Sequence, residues 1–109
     1  MAKYLYRVTN IFIHGVIMED ELLIKLAYVN ISSYRAKATK ALKDDVKTPI
    51  NIAKETGIRK NHISKVLREL KEAGVAECLN ENAHRGRLYR LTSDGEEIVD
   101  SVVVEEKEK

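Results

Sequence analysis

The spacing of apolar positions between residues 48 and 92 predicts two helices joined by a tight turn. Thr48 is a good N-cap, and Pro49 suits the first helical position, where no amide donor is needed. Gly57 can take the left-handed conformation of a tight turn between helices, and Gly74 ends the second helix. The apolar residues of the second helix recur at intervals of three and four, which gives one buried face. They are Ile63, Val66, Leu67 and Leu70.

Two short runs typical of β-strands follow the second helix, which we expect over residues 60–73. The runs cover residues 75–79 and 88–92 and are rich in apolar and β-branched side chains. The loop between them, residues 80–87, ends in Arg-Gly-Arg. The pattern therefore predicts an antiparallel hairpin with a basic loop.

Two more helices are predicted upstream of residue 48. The first covers residues 20–29, and the second covers about 33–43, with Ser32 or Ser33 as its N-cap. The second helix places four residues on its apolar side: Tyr34, Ala38, Ala41 and Leu42. Within the helix that starts at Pro49, we expect three side chains to point inward: Ile50, Ile52 and Ala53.

A last helix is predicted from Ser93 or Asp94 to about Val104. Its apolar stripe, which fits either a homodimer seam or the surface for a different partner, consists of Ile98, Val99, Val102 and Val103. The charged residues 105–109 are expected to fray.

Residues 1–17 leave two interpretations open. Either they form an extra strand or arm, or they are translated upstream sequence and Met18 is the native start. The acidic residues after Met18 are typical of a helix start, which favours the second interpretation. A signal peptide is disfavoured, because the unbroken apolar run is only residues 11–13. We therefore treat residues 1–17 as an N-terminal extension and residues 18–104 as the domain.

Composition narrows the class of protein. A chain of 109 residues that is 44% apolar and 33% charged suits one domain with a modest core. No apolar run approaches the ~20 residues needed to cross a bilayer, and Cys78 has no disulfide partner in the chain, so we expect a cytoplasmic protein. The sequence has no phosphate-binding glycine loop and no nucleophile beside a base, which argues against an enzyme. We expect neither a cofactor nor a metal, because His14, His62 and His84 are scattered, and Cys78 is expected to be a buried small side chain on a strand.

Charge is distributed unevenly along the chain. The formal net charge is only +2, but residues 57–90 carry eight Lys or Arg against four Asp or Glu. Residues 91–109 carry two against seven. The positive excess thus lies in the second helix and the hairpin, as expected for a surface that meets phosphates.

The combination of a small residue, a turn glycine and two buried positions is typical of a helix-turn-helix. Ala53 lets the helices approach, Gly57 makes the turn, and Ile63 and Val66 bury the second helix. The segment from Thr48 to Gly95 resembles the winged-helix domains of MarR-like and ArsR-like transcriptional regulators, especially small archaeal ones. The resemblance covers roughly residues 31–97. It implies an α+β, mainly helical fold with a three-helix core, a β-hairpin wing and an additional C-terminal helix.

The resemblance also implies a function and a partner. The implied protein is a homodimer that binds double-stranded DNA at a pseudo-palindromic operator and regulates transcription. The implied recognition helix covers about residues 60–73, and the implied wing covers residues 80–87. Two features depart from the family pattern. Arg59 stands where a Ser or Thr often caps the recognition helix, and the flanking helices are short for MarR-like dimerisation.

Roles for individual residues follow from this placement. Asn61 and His62 are predicted to contact base edges, and Lys65 a base or a phosphate. The predicted phosphate contacts of the helices come from Thr48, Lys60, Ser64 and Arg68. The predicted contacts of the wing with the minor groove or its phosphates come from Arg85 and Arg87, with Gly86 allowing close approach. The alternative is a winged helix that serves as a protein- or RNA-interaction module within a larger assembly. No effector ligand is indicated.

Overall fold

The computed structural model describes residues 11–13 and 16–104 of the chain. Five α-helices and two antiparallel strand pairs are found within this described part. The elements, in chain order, are β1 (Ile11–Ile13), β2 (Val16–Met18), α1 (Asp20–Asn30), α2 (Ser33–Ala41), α3 (Pro49–Thr56), α4 (Lys60–Glu72), β3 (Ala76–Cys78), β4 (Tyr89–Leu91) and α5 (Ser93–Ile98), which is followed by a 3-10 turn (Val99–Ser101). Helices α2, α3 and α4 pack against one another, and α1 packs on α2 and α5. This arrangement is the predicted α+β, mainly helical winged-helix fold.

The helix-turn-helix forms for the reasons given by the sequence. The Thr48 hydroxyl accepts a hydrogen bond from the Asn51 amide at 3.2 Å, so α3 begins with its predicted cap. Gly57 has φ +80° and closes α3, a conformation that costs glycine little. Arg59 precedes α4 without a side-chain cap, as expected. The four predicted inward residues of α4 are buried: Ile63, Val66, Leu67 and Leu70.

The hairpin gains a third partner that the sequence pattern did not predict. In the β3–β4 register, Ala76 pairs with Leu91 and Cys78 with Tyr89. On the other side of β4, the Tyr89 amide donates to the Lys47 carbonyl at 2.9 Å, and the Lys47 amide donates to the Tyr89 carbonyl at 3.0 Å. The segment before α3 is thereby tied to the hairpin, which fixes the start of α3 relative to the wing.

Two details of the helix faces were predicted wrongly. Helix α2 has its predicted cap, since the Ser32 hydroxyl accepts from the Arg35 amide at 3.2 Å, but it buries Ala36 rather than Tyr34, which is 39% exposed. Ile50 does not point inward and is 50% exposed, because the first turn of α3 lies at the edge of the core. Ile52 is buried as predicted.

The C-terminal helix is shorter than predicted. Thr92, and neither of the two residues proposed, is its cap: the Thr92 hydroxyl accepts from the Gly95 amide at 3.0 Å. Helix α5 ends at Ile98, and after the 3-10 turn Val102 adopts extended backbone, which suits its stiff side chain.

The apolar stripe predicted for this helix is mostly core. Ile98 is 0% exposed, Val99 3% and Val102 4%, whereas Val103 is 60% exposed. The expectation that the whole stripe faces a partner is therefore wrong. The start of α5 also packs closely, since an added Cβ on Gly95 would lie 2.1 Å from the carbonyl oxygen of Val75, the residue before β3.

The segment before α1 forms a small hairpin in its described part. Ile11 pairs with Met18 and Ile13 with Val16 in an antiparallel register. The Met18 side chain is 2% exposed and belongs to the core. The interpretation of residues 1–17 as an extension before the native start stays a prediction, and most of them lie outside the described residues, as does the 105–109 tail expected to fray. Among the helices described, none has the length and apolar character needed to cross a membrane.

Candidate nucleic-acid interface

An open groove of about 790 Å³ separates helix α4 from the hairpin loop. Its walls come from the start of α3, the middle of α4 and the loop. Most of the predicted contact residues line it, namely Thr48, Ser64, Arg68, Arg85, Gly86 and Arg87. Lys71 and His84 also line the groove, although neither was predicted as a contact residue. The structure thus brings residues that are far apart in the chain into one basic concave surface.

The remaining predicted residues lie outside this groove, on the exposed face near the start of α4. They are Lys60, Asn61, His62 and Lys65, all of which are exposed. This face lies opposite the buried stripe of α4, so its side chains point away from the core. The His62 ring packs beside the Tyr34 ring at the start of α2. The two ring centres lie 5.6 Å apart, and the angle between the ring planes is 51°. Tyr34 therefore lies at the edge of the candidate interface, beside the exposed His62, and is 39% exposed.

The charges of this surface are only partly neutralised. Lys65 lies 3.9 Å from Glu69, a long contact, and Glu69 also accepts from Arg35 at 3.2 Å. Among the described residues, no acidic side chain pairs with Lys60, Arg68 or Arg85 within 4 Å. These three cations are available to an anionic ligand.

The loop is held in shape by its own side chains. The Asn80 side-chain oxygen accepts from the Leu88 amide at 2.8 Å, and its amide nitrogen donates to the Gly86 carbonyl at 3.2 Å. The Arg87 guanidinium donates to the carbonyls of Ala83 at 2.9 Å and Glu81 at 3.1 Å. Arg87 therefore stabilises the loop through two hydrogen bonds to its backbone, whereas Arg85 projects from the loop without such hydrogen bonds.

An ion pair joins the loop to α4. The Lys71 ammonium lies 2.8 Å from the Glu81 carboxylate. Its hydrogen bond with Glu81 raises the pKa of Lys71, and the same bond lowers the pKa of Glu81. The wing thus has a fixed position relative to α4, at the end of the groove.

A second contact holds α4 from the side of α2, and the sequence analysis did not predict it. The Arg35 guanidinium lies 3.8 Å from the centre of the Tyr28 ring and donates to the Tyr28 carbonyl at 2.9 Å. It also forms the ion pair with Glu69. One side chain of α2 therefore links α1 to α4. No local pattern announces such a contact, because it depends on the packing of three helices.

The start of α3 offers polar groups to the groove. The Thr48 oxygen accepts from Asn51, which leaves its hydroxyl hydrogen able to donate. Pro49 has no amide hydrogen, so the Ile50 amide is the first free donor of this helix. A helix N-terminus with these donors suits an anion.

Cys78 is half-buried rather than buried, and its sulfur lies 3.6 Å from the Asn80 side-chain oxygen. In the described part of the chain, no three His, Cys, Asp or Glu side chains cluster so as to hold a metal ion.

The fold matches a solved structure. The solution structure of the homodimeric winged helix-turn-helix DNA-binding domain of Mb0332 from Mycobacterium bovis, a possible ArsR-family transcriptional regulator, is similar with a TM-score of 0.61. The match covers 75% of each chain at 19% sequence identity. No family model matches the sequence, and no curated protein matches it either. At this identity the likeness establishes the winged-helix fold.

Proposed function

We propose that this protein is a sequence-specific double-stranded DNA-binding regulator of transcription that acts as a homodimer in the cytoplasm and has no enzymatic activity. One observation carries the proposal: the middle of α4, the start of α3 and the basic loop form a single concave surface, in which Arg68 and Arg85 have no acidic partner among the described residues. The similarity of the fold to a homodimeric DNA-binding domain supports it.

Helix α4 is the element that enters the major groove. A helix about 10–12 Å across fits a groove about 12 Å wide. Asn61 and His62 lie in its first turn and are the base-contacting residues, since Asn pairs bidentately with adenine and His bonds to purine acceptors. The Tyr34 ring limits the positions open to His62. Lys65, one turn further along, contacts a base or a phosphate.

The phosphates are held by groups around the rim of this surface. Lys60, Ser64 and Arg68 contact one strand from α4, and Thr48 with the Ile50 amide holds a phosphate at the start of α3. The wing contributes Arg85 to the minor groove or its phosphates. Gly86 has φ +66°, so it permits the backbone turn that presents Arg85. Arg87 affects DNA binding indirectly, because its hydrogen bonds stabilise the conformation of the loop.

The direct test is binding of the protein to duplexes at two salt concentrations. The first duplex is the region immediately upstream of its own gene, and the second is random sequence of the same length. Specific binding keeps a protected footprint when salt rises, because base contacts do not depend on counterion release as phosphate contacts do. Equal binding to both duplexes that is lost with salt would contradict sequence-specific recognition.

The interaction-module alternative has one observation in its favour. Leu79 and Leu88 lie opposite each other at the base of the wing, and they are 44% and 36% exposed. If a protein partner covers this pair, Leu79→Asp abolishes its capture while leaving DNA affinity nearly unchanged. We rank this function second, because the adjoining groove is basic.

A further inference from the structure

Helix α4 carries an acidic side chain, Glu69, beside the cations of its outer face. One carboxylate oxygen of Glu69, Oε2, lies 3.9 Å from the ammonium of Lys65, one turn earlier on the helix. The other oxygen, Oε1, accepts a hydrogen bond from the Arg35 guanidinium of α2 at 3.2 Å. A carboxylate in this place repels phosphates and competes with them for Lys65, so what neutralises it matters for DNA binding.

The two cations beside Glu69 are held very differently. The side chain of Arg35 is 13% exposed, whereas that of Lys65 is 66% exposed. The Arg35 guanidinium also contacts Tyr28, since it donates to the Tyr28 carbonyl at 2.9 Å and lies 3.8 Å from the centre of the ring. A planar group that is already fixed by other contacts loses little freedom when it binds a carboxylate. Arg35 is therefore the main partner of Glu69.

Lys65 is only weakly attached to the same carboxylate. A distance of 3.9 Å is too long for a hydrogen bond between an ammonium and a carboxylate. The pair also has its lysine four residues before its glutamate, which is the less favourable order along a helix. Exposed ion pairs of this kind contribute little to stability. The Lys65 ammonium can therefore leave Glu69 for a phosphate at little cost.

We propose that Arg35 is a positioning residue that keeps Lys65 available to DNA by binding Glu69. The inference rests on the proposed contact of α4 with DNA and adds a residue of α2 that controls it. Arg35 acts through Glu69 and not on DNA, because its guanidinium is enclosed between Tyr28 and Glu69. Without Arg35, Lys65 would be the one cation within 4 Å of Glu69 among the described residues.

The first test is binding to a duplex of random sequence, because a phosphate contact does not depend on sequence. Arg35→Met keeps the apolar part of the side chain, which packs on its neighbours, and removes the charge. It should weaken binding about tenfold, as for the loss of one hydrogen bond to a charged group. It should also lower the slope of log affinity against log salt by about 1.

Two further backgrounds show whether the effect passes through Glu69 and Lys65. In a chain that already carries Glu69→Gln, Arg35→Met should change affinity by less than about twofold, because the competing charge is gone. In a chain that already carries Lys65→Ala, Arg35→Met should likewise cost little, since the contact with phosphate is lost beforehand.

The matched control removes a positive charge from the same helix. Lys37 lies two residues after Arg35 and has no acidic side chain within 4 Å among the described residues. Lys37→Met should weaken DNA binding much less than Arg35→Met does. Its effect should be the same with and without Glu69→Gln, because the two side chains are not paired.

A second test needs no DNA and follows the Lys65 ammonium nitrogen by NMR in labelled protein. In the wild type it should give the rapidly exchanging signal of a solvated lysine. In Arg35→Met its hydrogens should exchange more slowly and its chemical shift should move, because Glu69 then binds it. Adding Glu69→Gln should return the signal to that of the wild type.

Two results would overturn the proposal. The first is a loss of DNA affinity that remains in Arg35→Met/Glu69→Gln. Thermal unfolding of that variant would then tell whether Arg35 contacts DNA itself, with stability unchanged, or only holds the fold together. The second is a Lys65 ammonium signal that is the same in the wild type and in Arg35→Met. If the wild type binds no duplex, the proposed function fails, and the NMR result still decides whether Arg35 keeps Lys65 apart from Glu69.

Discussion

The outer faces of α1 and α4 differ although both helices bury their inner faces in one core. On α4 the outer face carries Lys60, Asn61, Ser64, Lys65 and Arg68. On α1 it carries Ile24 and Ala27, with the acidic Asp20 and Glu21 in the first turn and Ile31 at the C-cap. Burial of the inner face accounts for the fold of both helices, but it places no demand on the outer side chains. The outer faces therefore differ in chemistry: the face of α4 is polar and basic, which suits a negatively charged ligand, whereas Ile24 and Ala27 make part of the face of α1 apolar.

The two faces are also supported differently. Helix α4 is fixed at its front by the Lys71–Glu81 pair and from behind by Arg35. Helix α1 is joined to α5 by the Lys25–Asp94 pair at 2.5 Å. A surface that must match the geometry of a DNA groove benefits from such rigid support, because ordering it on binding would cost affinity.

The largest expected effect comes from breaking the core that holds both faces. Leu70 lies on the buried face of α4 and is 0% exposed. Leu70→Ala should lower the free energy of unfolding by about 2–5 kcal/mol, because burial is lost and a cavity forms. Urea unfolding followed by circular dichroism measures the change. Leu79→Ala, at a site 44% exposed, is the matched control and should change stability much less. Equal losses in the two variants would show that the inner face of α4 is not the core described.

The next effect separates base contacts from phosphate contacts on α4. Asn61→Ala should cost about 1–3 kcal/mol of binding free energy on the specific duplex and relax preference at one base pair. Arg68→Ala should weaken specific and random duplexes alike and flatten the salt dependence. Fluorescence anisotropy titrations on a set of single-base variants distinguish the two. If Asn61→Ala reduces binding to all sequences uniformly, the base-contacting role of Asn61 is wrong.

A smaller effect concerns the helix start beside the groove. Thr48→Ala removes the hydroxyl that accepts from Asn51 and should lower stability by about 0.5–2 kcal/mol. It should also weaken DNA binding, since a phosphate donor is lost. Thr48→Ser keeps the hydroxyl and should retain both properties. Loss of stability with unchanged DNA affinity would limit Thr48 to its capping role.

The smallest effect is the pH dependence of the wing anchor. The pKa of Glu81 lies below its ordinary value of 4.5 in the fold, so the stabilisation from this group is present above that pH and is lost as pH falls through the lower, folded pKa. Lys71 has a raised pKa, so its contribution is present below 10.5 and is lost only as pH rises through its higher, folded pKa. The protection of the wing amides, measured as the exchange rate relative to the intrinsic rate at the same pH, should therefore fall on acidification below about pH 4.5 in the wild type, and Glu81→Gln should remove this dependence. An unchanged acid profile in Glu81→Gln would show that the pair does not hold the wing.

The sequence predicted those parts of the fold whose cause is local. Caps at Ser32 and Thr48, the turn at Gly57 and the buried stripe of α4 each depend on residues within a few positions of one another. The bounds of the C-terminal helix were wrong because its inward packing depends on the contact between Gly95 and Val75. The pairing of Lys47 with Tyr89 joins segments 42 residues apart, and no periodicity reveals it.

The candidate site shows the same division. The basic loop and the polar face of α4 are visible in the sequence, and six of the ten predicted contact residues line one groove. The distinct roles of Arg85 and Arg87 are not visible, because both are exposed loop arginines and only hydrogen bonds to the Ala83 and Glu81 carbonyls tell them apart. The Tyr34–His62 contact likewise requires the packing of α2 beside α4.

The most direct test of DNA contact by α4 compares the outer faces of α1 and α4 in one experiment. Backbone amide shifts of labelled protein would be recorded by NMR during titration with a duplex selected from a random pool. We expect the largest changes in amide chemical shift in residues 60–68 and in the wing around Arg85. The amide shifts of Ile24 and Ala27 should change little at constant protein concentration. Selection of no preferred sequence, or shifts centred on α1, would contradict the assignment of α4 as the DNA-contacting helix.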